Sequence, residues 1–228
     1  MKKFLKDNFH KCEKFFSESK VYILSAVAVF FATAVIGFVF PVFFREEVGV
    51  IMQQMAEKIQ GLGFAETFSM IFFNNLSAGF MAEFLGIGFG IFPLIALVIN
   101  GYLLGFVMKF AVMQEGIFVI WRIIPHGIFE IPAILLAAGI GIKIGVEFLY
   151  SFMIEYEKKH SLTLLIILGV FFPVILFIFA IAVTFKNKNL SKKLKINLKE
   201  GIRFFISVIL PLLLIAAFIE GLLIFVFI

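Results

Sequence analysis

The stretch VYILSAVAVFFATAVIGFVFPVFF (residues 21–44) carries no charged side chain. About 20 mostly apolar residues in a helix cross the hydrocarbon core of a bilayer, where the backbone must satisfy its hydrogen bonds internally. The stretch is therefore predicted to be a membrane-spanning helix. It is longer than the apolar region of a cleaved signal peptide, which has about 7–15 residues. We expect it to remain in the mature protein as an anchor.

The composition of the whole chain agrees with this prediction. Of 228 residues, 62% are hydrophobic and 15% are charged, and the mean hydropathy is +1.11. Soluble domains average about 25% charged and about 45–50% apolar residues, so this chain has too little polar surface to face water. The single cysteine, Cys12, excludes an internal disulfide. The sequence predicts an all-α, polytopic integral membrane protein.

Four further apolar runs are long enough to cross a bilayer, which gives about five spans in all. They belong to one transmembrane domain that covers residues 21–228. The spans are predicted at 21–44, 86–112, 117–148, 162–185 and 204–228.

The charges of the loops predict the orientation, because Lys and Arg accumulate on the cytoplasmic side. Residues 1–20 contain six lysines, and residues 186–203 contain six lysines and Arg203 against Glu200. Residues 45–66 hold two basic and four acidic side chains. We therefore expect a multi-pass protein of the cell membrane with a cytoplasmic N-terminus and, with five spans, a C-terminus outside.

The segment 67–85 (TFSMIFFNNLSAGFMAEFL) is apolar but is interrupted by Asn74, Asn75 and Glu83. If it crossed the membrane in addition to the five spans, the basic loop 186–203 would lie outside. The segment is therefore predicted to be a re-entrant or surface-lying helix that enters and leaves on the outer side. A six-span protein is the alternative.

Both basic segments have apolar residues at helical spacing among their lysines. Such amphipathic helices lie at the headgroup boundary and are attracted to anionic lipid. Residues 1–20 are therefore predicted to be an interfacial N-terminal segment, and residues 186–203 a basic cytoplasmic loop. Nucleic acid is not an expected partner, because no folded reader domain is present. Other membrane proteins and further copies of the chain are expected partners.

Ionisable and amide side chains inside membrane helices are functional candidates by default. His126 and Glu130 are four residues apart and share a helix face, and Pro125 and Pro132 bracket them. The chain is therefore predicted to be broken or kinked within 124–133. The candidates for an intramembrane polar site are Asn74, Asn75, Glu83, Asn100, His126, Glu130 and Glu220.

The depth of each candidate follows from the helical rise of about 1.5 Å per residue. This rise predicts two polar clusters, which a kink of a few ångströms would merge. The inner cluster contains Asn100, His126 and Glu130, and the outer one Asn74, Asn75, Glu83 and Glu220. The alternative is that the amides only hydrogen-bond a neighbouring helix, and that His126 and Glu130 only neutralise each other.

Three glycine pairs with a spacing of four are predicted to let helices approach closely. They are Gly86 and Gly90, Gly101 and Gly105, and Gly141 and Gly145.

Motifs of soluble enzymes are missing from the sequence: there is no phosphate loop, HExxH, CxxC or defensible Ser–His–Asp arrangement. A soluble-type enzyme and a cofactor are therefore not expected. A metal ion would have to use His126, Glu130 and Glu220. No metal is predicted, because zinc requires three or more protein ligands and only one histidine lies within a span.

Four elements of the sequence, in this order, resemble the stage II sporulation protein M family of multi-pass membrane proteins. They are FFNN (72–75), INGYLLG (99–105), PHGIFEIPAI (125–134) and IAAFIEG (215–221). In spore-formers, the resemblance implies a membrane scaffold that recruits peptidoglycan-degrading partners during engulfment, but the wider family also occurs in organisms without spores. It marks Asn74, Asn100, His126, Glu130 and Glu220 as positions that match family motifs.

Three classes of function are compatible with the sequence. A scaffold or assembly component that organises partner proteins ranks first. A transporter or permease subunit with an intramembrane polar site ranks second, and it would need an external energy source because no ATP site is present. An intramembrane metal-dependent enzyme ranks third.

Overall fold

The computed structural model of the chain describes residues 2–43, 49–50, 54, 58, 61–157, 181 and 187–227. Within these residues the regular structure is entirely helical, which confirms the predicted all-α fold. The six α-helices are α1 (Lys2–Val39), α2 (Phe64–Phe84), α3 (Ile91–Glu115), α4 (Ile120–Glu157), α5 (Lys188–Phe204) and α6 (Leu210–Phe227). Short 3₁₀ turns at Leu85–Ile87 and Ile117–Val119 precede α3 and α4, and a π-helical turn, Phe205–Ile209, joins α5 to α6.

Five helical segments in the described part of the chain are long and apolar enough to cross a membrane, which confirms a polytopic protein. The predicted span at 162–185 is not among them, because it lies outside the described residues. The five segments are Lys6–Val39, Phe64–Ile87, Ile91–Glu115, Gly127–Ile154 and Lys192–Phe225.

Helix α4 lies at the centre of the bundle and contacts all five other helices. Its buried stripe consists of small and branched apolar side chains that are at most 1% exposed: Ala133, Ala137, Ala138, Ile140 and Ile144. The small side chains let the neighbouring helices come close, and the branched ones fill the space between them.

The N-terminal residues and the last long helix meet at one end of the bundle. The Asn8 amide donates a hydrogen bond of 2.9 Å to Ser207 Oγ, and the Phe15 and Phe204 rings lie 6.1 Å apart. Exposed lysines surround these contacts, and we call this the basic end: Lys6, Lys11, Lys14, Lys192, Lys193, Lys195 and Lys199. The predicted interfacial segment 1–20 is therefore continuous with the first span and packs against protein through its buried face.

Helix α2 corrects the prediction of a re-entrant segment at 67–85. The Phe64 ring lies 5.7 Å from that of Phe218 and 6.4 Å from that of Phe225, near the end of α6. At the other end of α2, Glu83 lies against Gly201 of α5. The helix thus runs from the far end of the bundle to the basic end without reversing. Its polar residues do not prevent this, because Glu83 is buried inside the protein and not exposed to lipid.

Because α2 runs the full length of the bundle, α4 runs in the opposite direction to the one expected from the sequence. Helix α3 runs parallel to α1, and α4 returns to the basic end. There the Asn197 amide donates to a Glu147 carboxylate oxygen at 2.7 Å, and the Lys193 ammonium donates to Ser151 Oγ at 3.3 Å. Both helices that flank the undescribed segment 158–180 therefore lie at the same end of the bundle.

The turn between α2 and α3 packs against α4 with backbone touching backbone. Phe89 and Gly90 have positive φ values of 59° and 76°, which reverse the chain direction within a few residues. A Cβ at Gly86 would overlap the carbonyl oxygen of Gly141, and a Cβ at Gly145 would overlap the backbone of Gly86 and Gly90. Two of the three glycine pairs thus lie at one helix-to-turn contact.

The third pair lies between α3 and α1. A Cβ at Gly101 would overlap the carbonyl oxygen of Phe30, and one at Gly105 would overlap that of Ala34. Between these glycines, the Tyr102 hydroxyl accepts a 2.9 Å hydrogen bond from the backbone N–H of Phe43, just beyond the end of α1. The INGYLLG element therefore packs α3 against α1.

Helix α4 is continuous through both prolines, so the chain predicted to be broken or kinked within 124–133 is not broken there. In a membrane helix, neighbouring helices and local adjustments satisfy the carbonyls that a proline leaves free. The last span contains the irregular turn instead. The Leu210 N–H bonds to the carbonyl of Phe205, five residues earlier, directly before Pro211. The predicted basic loop 186–203 is itself largely helical, and it leads into this turn as α5.

Substitution of Gly141 by Ala is expected to destabilise the protein, because the new Cβ would overlap the Ala82 carbonyl oxygen and lie 3.0 Å from that of Glu83. Overpacking of this kind costs about 1–3 kcal/mol. Thermal unfolding of the purified protein in detergent measures the effect. Gly49→Ala is the control, because a Cβ there would have no atom of the described residues within 4 Å. Equal unfolding temperatures for both variants would show that the backbone contact is not tight.

Candidate functional site

Polar side chains from three helices meet inside the bundle. The Asn75 side chain of α2 hydrogen-bonds the Glu130 carboxylate of α4. Glu220 of α6 is close enough to Glu130 for their charges to interact. Asn75 is 6% exposed, and both glutamates are partly buried. We call Asn75, Glu130 and Glu220 the polar cluster.

Small residues on the same helices allow this convergence. Ala133 on α4 and Ala216 and Ala217 on α6 are at most 2% exposed, and each lies within one turn of a cluster glutamate. On α2, a Cβ at Gly79 would be 3.5 Å from Leu213 of α6, so the two helices lie close together one turn from Asn75. Helices that carry small residues at their interface can approach until short polar side chains touch.

The structure combines members of the two predicted clusters. Glu130 was assigned to the inner cluster and Asn75 and Glu220 to the outer one. That assignment is wrong, because it assumed that α4 leaves the cytoplasmic side at its start. With α2 crossing the bundle, α4 begins at the far end, and Glu130 lies at the level of Glu220.

Three other candidates lie away from the polar cluster. Asn74 is exposed on the surface of α2. Asn100 is also exposed, and its amide donates a 2.8 Å hydrogen bond to the Ala96 carbonyl of its own helix. Glu83 is fully buried two turns beyond Asn75 on α2. The side chain of His126 lies outside the described part of the structure, although its backbone belongs to α4.

An apolar groove of about 790 Å³ runs beside the polar cluster, between α1, α3 and α4. Phe31, Leu104 and Ile128 are among its lining residues, and Glu130 is the one ionisable residue among the described side chains that line it. Glu130 thus borders both the groove and the polar cluster. A ligand or partner helix in the groove would contact an acidic side chain.

Lys143 is a second buried charge, and the sequence did not single it out as a site. It is 3% exposed, and its ammonium lies 3.7 Å from a Glu18 carboxylate oxygen and 3.3 Å from Ser19 Oγ. The ammonium also lies 4.3 Å from the centre of the Phe15 ring, where a cation–π contact stabilises it. Phe15, Glu18 and Ser19 lie within four residues of each other on α1, which was the available signal in the sequence, but this spacing identifies no partner helix.

Among the described residues, no three His, Cys, Asp or Glu side chains are placed to hold a metal ion. Glu130 and Glu220 provide two carboxylates, and the position of the His126 imidazole is not described. The polar cluster can bind a proton or a small cation, because two neighbouring carboxylates with an amide offer oxygen ligands and negative charge.

The family model of stage II sporulation protein M matches residues 26–223. The chain belongs to the stage II sporulation protein M family. This finding confirms the resemblance that was read from the four sequence elements. Three of these family elements supply the polar cluster: Asn75 from FFNN, Glu130 from PHGIFEIPAI and Glu220 from IAAFIEG.

A relative from Methanocaldococcus jannaschii, named as an uncharacterized protein, is 35% identical to the chain over 118 residues. The matched region is 47% of this chain and 49% of the relative, so the chain matches about half of that protein's length. No solved structure gives a significant match.

Asn75→Ala is expected to destabilise the protein more than Asn74→Ala. Hydrogen bonds between membrane helices contribute about 0.6 kcal/mol on average, and a buried acceptor without its partner costs about 1–3 kcal/mol. The exposed Asn74 is a matched control on the adjacent position. Thermal unfolding in detergent measures both variants. If both variants lower the unfolding temperature equally, the hydrogen bond between Asn75 and Glu130 contributes nothing to stability.

Proposed function

We propose that the chain is a membrane transport component whose polar cluster binds a proton or a small cation. The supporting observation is that Asn75, Glu130 and Glu220 converge from three helices within the apolar part of the bundle. Transporters place ionisable residues at such positions, where helices meet inside the membrane.

Energetics favour a bound ion over simple packing. Insertion scales assign about 2.5–3.5 kcal/mol to one charged residue at the centre of a membrane helix. The hydrogen bond from Asn75 recovers only about 0.6 kcal/mol on average. Two neighbouring ionised glutamates would also repel each other. A proton or cation between Glu130 and Glu220 removes their mutual repulsion and neutralises at least one of the two charges. A gradient of that ion would supply energy for transport.

The basic end supports a proposed orientation of the protein in the membrane. Lysines on α1 and α5 surround it, and such residues accumulate on the cytoplasmic side. We propose that the N-terminus lies in the cytoplasm, that the C-terminal end of α6 lies outside the cell membrane, and that the exposed lysines contact anionic lipid. In this orientation the polar cluster lies in the outer half of the bundle.

Glu130→Gln and Glu220→Gln are expected to abolish ion binding without unfolding the protein. A ligand that binds only the folded state raises the unfolding temperature. Acidification, or one of Na⁺, K⁺, Mg²⁺ and Ca²⁺, should therefore raise the unfolding temperature of the wild type. Neither variant should show this rise. Glu66→Gln is the control, because Glu66 is exposed and bonds the Gly63 N–H at the start of α2.

Transport itself is measured in proteoliposomes that hold the full chain. A gradient of the ion that shifts the unfolding temperature should drive uptake of that ion by the wild type and by Glu66→Gln. Uptake should be lost in Glu130→Gln and Glu220→Gln. If both cluster variants respond to ions and transport them as the wild type does, the polar cluster is packing only.

A scaffold is the second candidate, and the apolar groove supports it. A groove of about 790 Å³ between α1, α3 and α4 can accept apolar side chains of another membrane helix. Small-residue contacts and apolar packing are the forces that associate helices in lipid. The proposed occupant is a helix of a second copy of this chain, which would make the chain a membrane assembly component.

Ile128→Trp is expected to dissociate such an oligomer, because Ile128 lines the groove and is 54% exposed. The larger ring would fill the space that the partner helix needs. Native mass spectrometry in detergent measures the oligomeric state. Phe73→Trp is the matched control, since Phe73 is 62% exposed on α2, which does not line the groove. A monomeric wild type, or an Ile128→Trp oligomer that stays intact, would contradict this second function.

A further inference from the structure

The side chain of Glu83 is fully buried on α2. It is 0% exposed, and neither carboxylate oxygen has a hydrogen-bond partner in the part of the chain that the structure describes. Buried carboxylates are normally paired with a cation or hydrogen-bonded, because an ionised group is strongly destabilised in apolar surroundings. Within the described part of the chain, Glu83 therefore lacks a group that neutralises it.

The carboxyl group lies in a slot that exists because Gly201 has no side chain. A Cβ at Gly201 would lie 2.8 Å from Glu83 Oε1 and 3.5 Å from the Ile144 methyl carbon. The slot is thus formed by α2, α4 and α5. The next residue on α2, Phe84, packs its ring 6.1 Å from that of Phe205, which covers the neighbouring surface with apolar atoms.

The described charged side chains of the surrounding helices either have partners of their own or are exposed. On α4, Lys143 is directed to Glu18 and Ser19 of α1. Glu147, one turn further along α4, accepts a hydrogen bond from Asn197 of α5. On α5, the residues on either side of Gly201 include Glu200 and Arg203, which pair with each other. The lysines of α5 at positions 192, 193, 195 and 199 are exposed.

Glu83 is separate from the polar cluster. It lies eight residues beyond Asn75 on one straight helix, or about 12 Å at the helical rise of 1.5 Å per residue. A metal cation would need several oxygen ligands. No cluster of three acidic, His or Cys side chains exists among the described residues. A proton needs only the one carboxylate oxygen.

We propose that Glu83 is a proton-binding site that α5 covers. The carboxyl group holds a proton while Gly201 lies against it, and it exchanges this proton with water when α5 moves away. Because α5 carries the exposed lysines of the basic end, contacts of that helix with lipid or protein would control the exchange. This site does not depend on the function proposed for the polar cluster.

The test is modification of the full chain, in detergent at neutral pH, by dicyclohexylcarbodiimide, which partitions into apolar regions. A protonated carboxyl transfers its proton to a carbodiimide nitrogen, and the carboxylate oxygen bonds to the central carbon. The resulting O-acylisourea rearranges to an N-acylurea that stays on the side chain. Peptide mass spectrometry locates this adduct and separates Glu83 from Glu130 and Glu220.

The adduct is expected on Glu83 with the lipid-soluble reagent and not with a water-soluble carbodiimide. Glu66 on the same helix is the control, because it is exposed and should react with the water-soluble reagent. Glu83→Gln should lose the adduct and keep the unfolding temperature of the wild type, since Gln has the shape and charge of a protonated Glu. If Glu83 is not modified while the polar cluster binds its ion normally, only the proposal for Glu83 is overturned, and the function proposed for the polar cluster is not.

Three results would overturn the proton site. They are an unmodified Glu83 in folded protein, protection of Glu83 by Na⁺, and a large fall in the unfolding temperature of Glu83→Gln, which would indicate an ionised, paired carboxylate. Gly201→Ala tests whether α5 covers Glu83, because the added methyl forces α5 and Glu83 apart. Glu83 should then react with the water-soluble reagent. Unchanged reactivity in folded Gly201→Ala would show that α5 does not control access.

Discussion

The contact of the α2–α3 turn with the glycine stripe of α4 determines the rest of the architecture. Gly86 and Gly90 approach Gly141 and Gly145 so closely that a Cβ at Gly86, Gly141 or Gly145 would overlap backbone atoms. This contact fixes the turn at the basic end, so α2 must traverse the bundle before it. Every later helix takes its direction from that passage.

The direction of α4 in turn creates the polar cluster. Because α4 begins at the far end of the bundle, Glu130 lies beside Glu220 of α6 and within hydrogen-bond distance of Asn75. The three residues are far apart in sequence, and each sits in a different element of the stage II sporulation protein M family. Small residues around them on α4 and α6 keep the helices close enough for the short side chains to meet.

Buried polar residues explain both the successes and the errors of sequence reasoning. The apolar runs of α1, α3 and α6 were recognised because their mean hydropathy is high. The passage of α2 was missed because Asn75 and Glu83 lower its hydropathy. Both side chains face protein, and a helix with a buried polar face can span as well as an apolar one. One misassigned crossing then reversed the expected depth of Glu130.

The sequence by itself determined the helical membrane class, the family, the glycine pairs and the polar residues, because composition, spacing and motif order are properties of one chain segment at a time. Only the tertiary structure decided which of those residues meet. It placed Asn75 with Glu130 and Glu220, left Asn100 on the surface, and isolated Glu83 beneath Gly201. The physical reason is that contacts between helices depend on their directions and on close backbone approach, and neither is encoded in local hydropathy.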